Sequence, residues 1–127
     1  MKIKYFSPVD TEKNIKCTVH ITGKLGFSSN AIKQLGIDNS KYVKLGINEE
    51  DNNDKILYMV VQNEKDSDSF KINKAGQYYY LNTKHLFDEM DIEYKRFKII
   101  YDIHDVNIGD SKIYKLIMRT LDRKKKK

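Results

Sequence analysis

The side chains with the most chemistry to offer in this sequence are lysines. Lys2, Lys4, Lys13, Lys16, Lys24, Lys33, Lys41 and Lys44 fall within the first 44 residues, against three acids, Asp10, Glu12 and Asp38. Ammonium groups gathered on one face neutralise phosphates and release their counterions. Spread along the solvent side of strands, they only confer solubility and guard edges. No Arg precedes Arg96, which argues against strong base-edge reading, because bidentate guanine contacts favour the guanidinium fork. Residues 45–118 reverse the sign, with ten basic groups against fourteen acidic, and 119–127 (RTLDRKKKK) restore it with six against one. A basic first third and a basic end thus flank a mildly acidic middle, so the net charge of +6 overstates how basic the folded body is. The terminal RKKKK would attract phosphates or anionic lipid without specificity, or simply solubilise the chain.

Other constellations carry less. Tyr78-Tyr79-Tyr80, beside Gln77 and Lys84, would form a stacking platform for single-stranded nucleic acid if exposed. Strand alternation turns Tyr79 away from Tyr78 and Tyr80, and the apolar Leu25 and Phe27 at matching positions upstream favour core packing for the triplet. Cys17 and His20 have the spacing that begins a zinc site, but no second pair follows, and alternation sends them to opposite faces. Asp88, Glu89, Asp91 and Glu93 read as the solvated face of a helix. Ser28, Ser29 and His20 lie in no nucleophile, zinc-protease or phosphate-loop context. Neither an enzymatic activity, nor a metal, nor a cofactor is expected.

These residues must be held by a small domain. A chain of 127 residues with 39% hydrophobic and 33% charged residues buries a core without staples. One Pro and six Gly argue against a disordered or fibrous chain. The single Cys forbids an intrachain disulfide and suits a reducing compartment. The start MKIKYFSPVD has no apolar leader segment, and no run approaches the roughly 18 apolar residues of a membrane span. A cytoplasmic protein is expected.

The sequence also repeats itself. TGKLGFSSNAIKQLGIDNSKYVKLGI, an acidic stretch and DKILYMVV are followed by NKAGQYYYLNTKHLFDEMDIEYKRFKII, a second acidic stretch and SKIYKLIM. Spacing between matched positions grows from 53 (Gly23 to Gly76) to 57 (Lys55 to Lys112). Each copy reads as a strand, a Gly-containing turn, a short strand, a short helix and two closing strands. The first strands are marked by Ile15, Cys17, Val19 and Ile21, then by Phe70 and Ile72. Ser28, Ser29 and Asn30, and later Asn82 and Thr83, offer N-cap oxygens. Gly36 stops the first helix, and Asp91 takes its place in the second. The closing strands are Tyr42–Ile47 with Ile56–Val61, and Phe97–Ile103 with Ile113–Met118, joined by the polar turns NEEDNND and HDVNIGD. One such unit cannot bury its own apolar faces, whereas two can. The expected fold is α+β and mainly β: two strand–helix–strand–strand repeats (about 13–61 and 68–118) packed as a pseudo-dimeric β-barrel with short helices. These form a single domain over 1–118, with a basic flexible tail at 119–127. An α+β sandwich with flanking helices is the alternative.

Gly23-Lys24-Leu25-Gly26-Phe27-Ser28-Ser29-Asn30-Ala31-Ile32-Lys33-Gln34-Leu35-Gly36-Ile37 resembles the swapped-hairpin AbrB/MazE-type pattern. That pattern runs Gly-Arg-apolar-x-Ile-Pro, a short helix with basic residues, then Leu-Gly-Ile. The resemblance continues through a turn, a strand, a polar hairpin and a last strand as far as Val61, and more loosely through the second copy. Ser28 stands where Pro is usual and Ile32 where Arg is frequent, and the second copy has only Met90-Asp91-Ile92. The family fold implied by this resemblance dimerises by interleaving hairpins and binds DNA through basic residues of hairpin and helix. Lys24 then takes the Gly-Arg position and Lys33 a basic helix position, with Lys74 and Lys84 near the equivalent region of copy two. With Lys13 and Lys16 of the basic first strand, these six are the candidate DNA contacts. The partner expected is nucleic acid, DNA first, in a regulator or a phage accessory protein. Homo-oligomerisation is left open, and neither a membrane nor a small-molecule substrate is expected. The alternatives are a protein–protein or structural module, whose acidic middle meets a basic partner, and a single-strand binder using the Tyr78–Tyr80 strand.

Overall fold

A computed structural model describes residues 1–5, 15–50, 55–108 and 111–123. The chain is mainly β, with the order β1 (Lys16–Val19), β2 (Leu25–Phe27), α1 (Ser29–Leu35), β3 (Tyr42–Gly46), β4 (Ile56–Gln62), β5 (Phe70–Lys71), β6 (Asn73–Ala75), β7 (Tyr78–Leu81), α2 (Lys84–Glu89), β8 (Phe97–Ile108) and β9 (Ser111–Asp122). The strands form one sheet in the order β5-β3-β4-β9-β8-β1-β2-β7-β6. Its two end strands, β5 and β6, are separated along the chain only by Ile72, so the sheet curls into a nearly closed barrel. Segment 70–75 pairs with β3 through its first half and with β7 through its second. Closure of this kind leaves few exposed edge groups for another chain to pair with.

Period-two alternation supplies the interior. Cys17, Val19, Leu25, Val43, Leu57, Met59, Ile72, Leu81, Tyr101 and Leu116 are buried, and the helices add Ala31, Leu35 and Phe87. Phe87 stacks against Tyr101 with ring centroids 6.1 Å apart. Both helices are short because each ends in a left-handed residue, Gly36 at φ 63° after α1 and Asp91 at φ 56° after α2. There the backbone closes with matching hydrogen bonds: Ile37 N donates to Ile32 O at 3.0 Å, and Ile92 N donates to Phe87 O at 2.9 Å.

Three local expectations change. Ile21 belongs to the β1–β2 turn and is exposed, not strand. Most of HDVNIGD is strand, because β8 and β9 stay in antiparallel register from Phe97↔Asp122 to Ile108↔Ser111. A waiting partner lets polar residues continue a ladder that composition alone assigns to a turn. The same pairing carries Arg119 to Asp122 inside β9, where Arg119 Nε donates to Asp102 at 2.8 Å. Among the described residues, no helix is long and apolar enough to cross a membrane.

Candidate nucleic-acid interface

Four of the six candidate lysines, Lys24, Lys33, Lys74 and Lys84, gather around one antiparallel ribbon made of β2 and β7. Its register pairs Leu25 with Leu81 and Gly26 with Tyr80. Because the strands run in opposite directions, the turn that opens β2 lies beside the helix that follows β7, and the reverse holds at the other end. Each end is therefore a junction between one hairpin turn and one helix start.

At the first junction the β1–β2 turn is tied by His20 N donating to Lys24 O at 2.7 Å and Gly23 N donating to His20 O at 2.8 Å. Gly23 sits at φ 87°, where L side chains are strained, and a Cβ there would approach Lys84 Cα to 2.9 Å. Thr83 occupies the N-cap position of α2, yet its hydroxyl does not cap the helix. Instead it donates to Gly23 O at 2.8 Å, in a buried contact that pins turn to helix. Lys24 and Lys84 thus leave from one place. At the second junction, Ser28 Oγ caps α1 by accepting from Ala31 N at 3.2 Å, as the sequence indicates. Beyond it Ser29, Ile32 and Lys33 of α1 face Lys74, Gln77 and Tyr79 across a shallow groove. Lys33 and Lys74 therefore share that groove.

Between the junctions the ribbon turns two rings outward. Tyr78 is 41% exposed and Tyr80 is half-buried, and they stack with centroids 5.5 Å apart and an interplanar angle of 21°. Lys24 Nζ stands 4.7 Å from the centroid of the Tyr80 ring. Gly26 is what lets the Tyr78 ring lie across β2, since a Cβ at that position would collide with the Tyr78 hydroxyl and ring. Burial, followed by the neighbouring Tyr80, raises the Tyr78 phenol above its ordinary pKa, so it stays neutral at physiological pH. The expectation of core packing holds only for Tyr79, which packs against the core with Lys74 Nζ 5.6 Å from its ring. The matching upstream residues, Leu25 and Phe27, are in phase with Leu81 and Tyr79 across the ribbon, not with Tyr78 and Tyr80.

The two junctions differ in charge. Among the described residues Lys24, Lys33 and Lys74 form no ion pair. Lys84 Nζ is bound to Asp88 at 2.9 Å, and that hydrogen bond raises its pKa above the ordinary lysine value. Hydrogen bonds from Lys84 and then Tyr94 hold the Asp88 carboxyl below the usual range. Lys16 lies one strand away, in register with Asp102, and its backbone O accepts from Ser28 N at 3.0 Å. Lys13 is outside the described residues.

Cys17 is fully buried, and burial pushes its thiol far up, with Asp102 adding to the effect, so it is no ready nucleophile or thiolate ligand. His20, by contrast, is exposed and shares a 3.0 Å hydrogen bond between its Nδ1 and Thr22 Oγ1. Among the described residues no group of three or more His, Cys, Asp or Glu is placed to hold a metal. In comparisons with known proteins, no family model, no curated protein and no solved structure matches this chain.

Proposed function

We propose that this chain is a small DNA-binding module that contacts phosphates through the two junctions of the β2–β7 ribbon, with Lys24, Lys33, Lys74 and Lys84 as the contacts. The reading rests on one observation: these four lysines bracket a single two-stranded ribbon, and three of them have no carboxylate partner among the described residues. Lysines so placed offer phosphates an unneutralised surface and release counterions on binding.

On the same reading the barrel is a pseudo-dimer of two repeats within one chain, the intrachain counterpart of the AbrB/MazE-type interleaved dimer. Its pairing pattern supports this. β1 pairs with β8, the strand that follows the helix of the other half, and β5 pairs with β3 in the reciprocal arrangement. β2 pairs with its counterpart β7, and β4 with its counterpart β9. Each helix is followed by a left-handed residue at matching positions, Gly36 directly after α1 and Asp91 one residue beyond the Met90 cap of α2.

The experiment is a DNA titration against salt, with residues 124–127 removed so that the last four lysines cannot contribute. Fluorescence anisotropy is read with both a duplex and an oligothymidylate. Four phosphate contacts give a log–log slope of roughly −3 to −4. A slope near zero on both DNAs overturns the proposal. Purification free of nucleic acid and capture of a basic protein would then favour an interaction module.

A further inference from the structure

Resting on the DNA-binding reading, we propose that the preferred ligand is single-stranded, with an unpaired base stacked on the Tyr78–Tyr80 face of the ribbon and its flanking phosphates held by the junction lysines. The argument turns on what the ribbon presents outward. Its inward residues, Leu25, Phe27, Tyr79 and Leu81, belong to the core or pack against it. Its outward residues are Gly26, Tyr78 and Tyr80. None of these carries an amide, guanidinium, ammonium or carboxylate, the groups that make the main base-edge contacts in a duplex groove. A two-stranded ribbon with such a face is poorly equipped to read a major groove. It is well equipped to offer a π surface.

In a duplex, neighbouring bases already occupy each base's faces, so only an unstacked base can use an aromatic platform. The platform is built rather than incidental. Gly26 clears the space in which Tyr78 lies, and Tyr78 in turn supports Tyr80 at 5.5 Å. Lys24 Nζ lies over the Tyr80 ring at 4.7 Å and Tyr78 also stacks on that ring, so the aromatic surface left for a base is that of the exposed Tyr78, with the Lys24 ammonium one ring away for a flanking phosphate. An aromatic side chain needed only to cover β2 would not have to remain 41% exposed, as Tyr78 does. Stacking is also tolerant of sequence, which agrees with the absence of Arg from the four candidate contacts.

The test compares a fluorescein-labelled oligothymidylate of about 12 nucleotides with a duplex of the same length, at one salt concentration, using the full chain. The single strand is expected to bind at least about tenfold more tightly. Replacing both rings, Tyr78→Leu with Tyr80→Leu, keeps an apolar cover over Gly26. This change is expected to weaken single-strand binding by about ten- to a hundredfold and duplex binding by less than about twofold. The pair Tyr78→Phe and Tyr80→Phe keeps the π faces and is expected to retain binding. Equal affinity for the two DNAs, or an unchanged single-strand affinity in the Leu pair, overturns the proposal while leaving the lysine reading intact. Salt-insensitive or absent binding to both DNAs overturns both readings together. Should the Leu pair fail to fold, photocrosslinking of a bromodeoxyuridine oligonucleotide to the unaltered chain decides the matter. Adducts on peptide 77–81 support the platform, and adducts confined to other peptides overturn it.

Discussion

The two junctions of the β2–β7 ribbon are built from the same parts and have different surfaces. At the first, turn and helix are locked by a buried hydrogen bond from Thr83 to Gly23 and by near contact of Gly23 with Lys84. At the second, Ser28 caps its helix in the ordinary way, and turn and helix leave a groove between them. Charge follows the opposite pattern. α1 carries Lys33 and no acid, whereas α2 carries Asp88 and Glu89 and commits Lys84 to Asp88. The tight junction is half-neutralised and the open one is basic. Similar local sequences can thus supply a structural clasp at one end of a ribbon and an open, basic groove at the other.

The largest break in that comparison comes from the core beneath the helices. Ile32 and Phe87 hold matching places: each donates its N–H to the N-cap carbonyl, Ser28 O or Thr83 O, at 3.0 Å. Phe87 is wholly buried and stacked on Tyr101, while Ile32 is half-buried and lines the groove. Phe87→Ala is expected to cost about 3–5 kcal/mol, because it opens a cavity the barrel cannot refill. Ile32→Ala should cost less than about 2 kcal/mol, since water already reaches one side. Chemical denaturation of the two variants checks the difference. Equal losses would mean that the two helices bear equally on the core.

Next in size is a pair of glycine substitutions in the two turns. Gly23 and Gly76 both have positive φ, at 87° and 63°. A methyl group at Gly23 meets backbone and side-chain atoms of Lys84 at 2.9 Å, whereas one at Gly76 meets nothing within 4 Å. Gly76→Ala therefore pays only backbone strain, about 1 kcal/mol. Gly23→Ala pays strain and also prises the turn from α2, for about 2–3 kcal/mol. Thermal melts of the two variants should separate clearly, and coinciding midpoints would show that the clasp is not structural.

Much of this frame was legible in the sequence, for identifiable reasons. Alternation at Cys17 and Val19, the Ser28 cap and the Gly36 stop are local signals that local physics obeys. Asp91 at the equivalent stop was also visible, although only its left-handed φ reveals that an Asp can do the work of a Gly. What could not be read was anything decided by the partner strand. The length of β8 and β9 depends on their mutual register, and the outward turn of Tyr78 depends on which residue of β2 faces it. Gly26 held the clue: a glycine inside a strand signals close approach by another group. Matching Tyr78 to Leu25 by simple spacing instead put its ring in the core.

The smallest predicted effect tests the charge difference directly. Asp88→Asn removes the carboxylate from Lys84 while leaving an oxygen to accept the Tyr94 hydroxyl, which now donates to Asp88 at 2.7 Å. Freed, Lys84 should raise oligothymidylate affinity by about two- to fivefold at low salt, the scale of an exposed ion pair. Lys33→Ala, at the open junction, should instead lower affinity and reduce the salt slope by about 1. Lys84→Ala should change both less, because its charge is already partly spent on Asp88. Acidity acts on the same pair with a defined sign. The depressed Asp88 pKa contributes stability that is present above the ordinary value of 3.8 and is lost as pH falls through its lower folded value. Between pH 5 and 8 Asp88 therefore remains ionised and Lys84 engaged, so the gain from Asp88→Asn should be flat across that range. A gain that vanished toward pH 5 would assign the effect to another titrating group and dissolve the contrast between the two junctions.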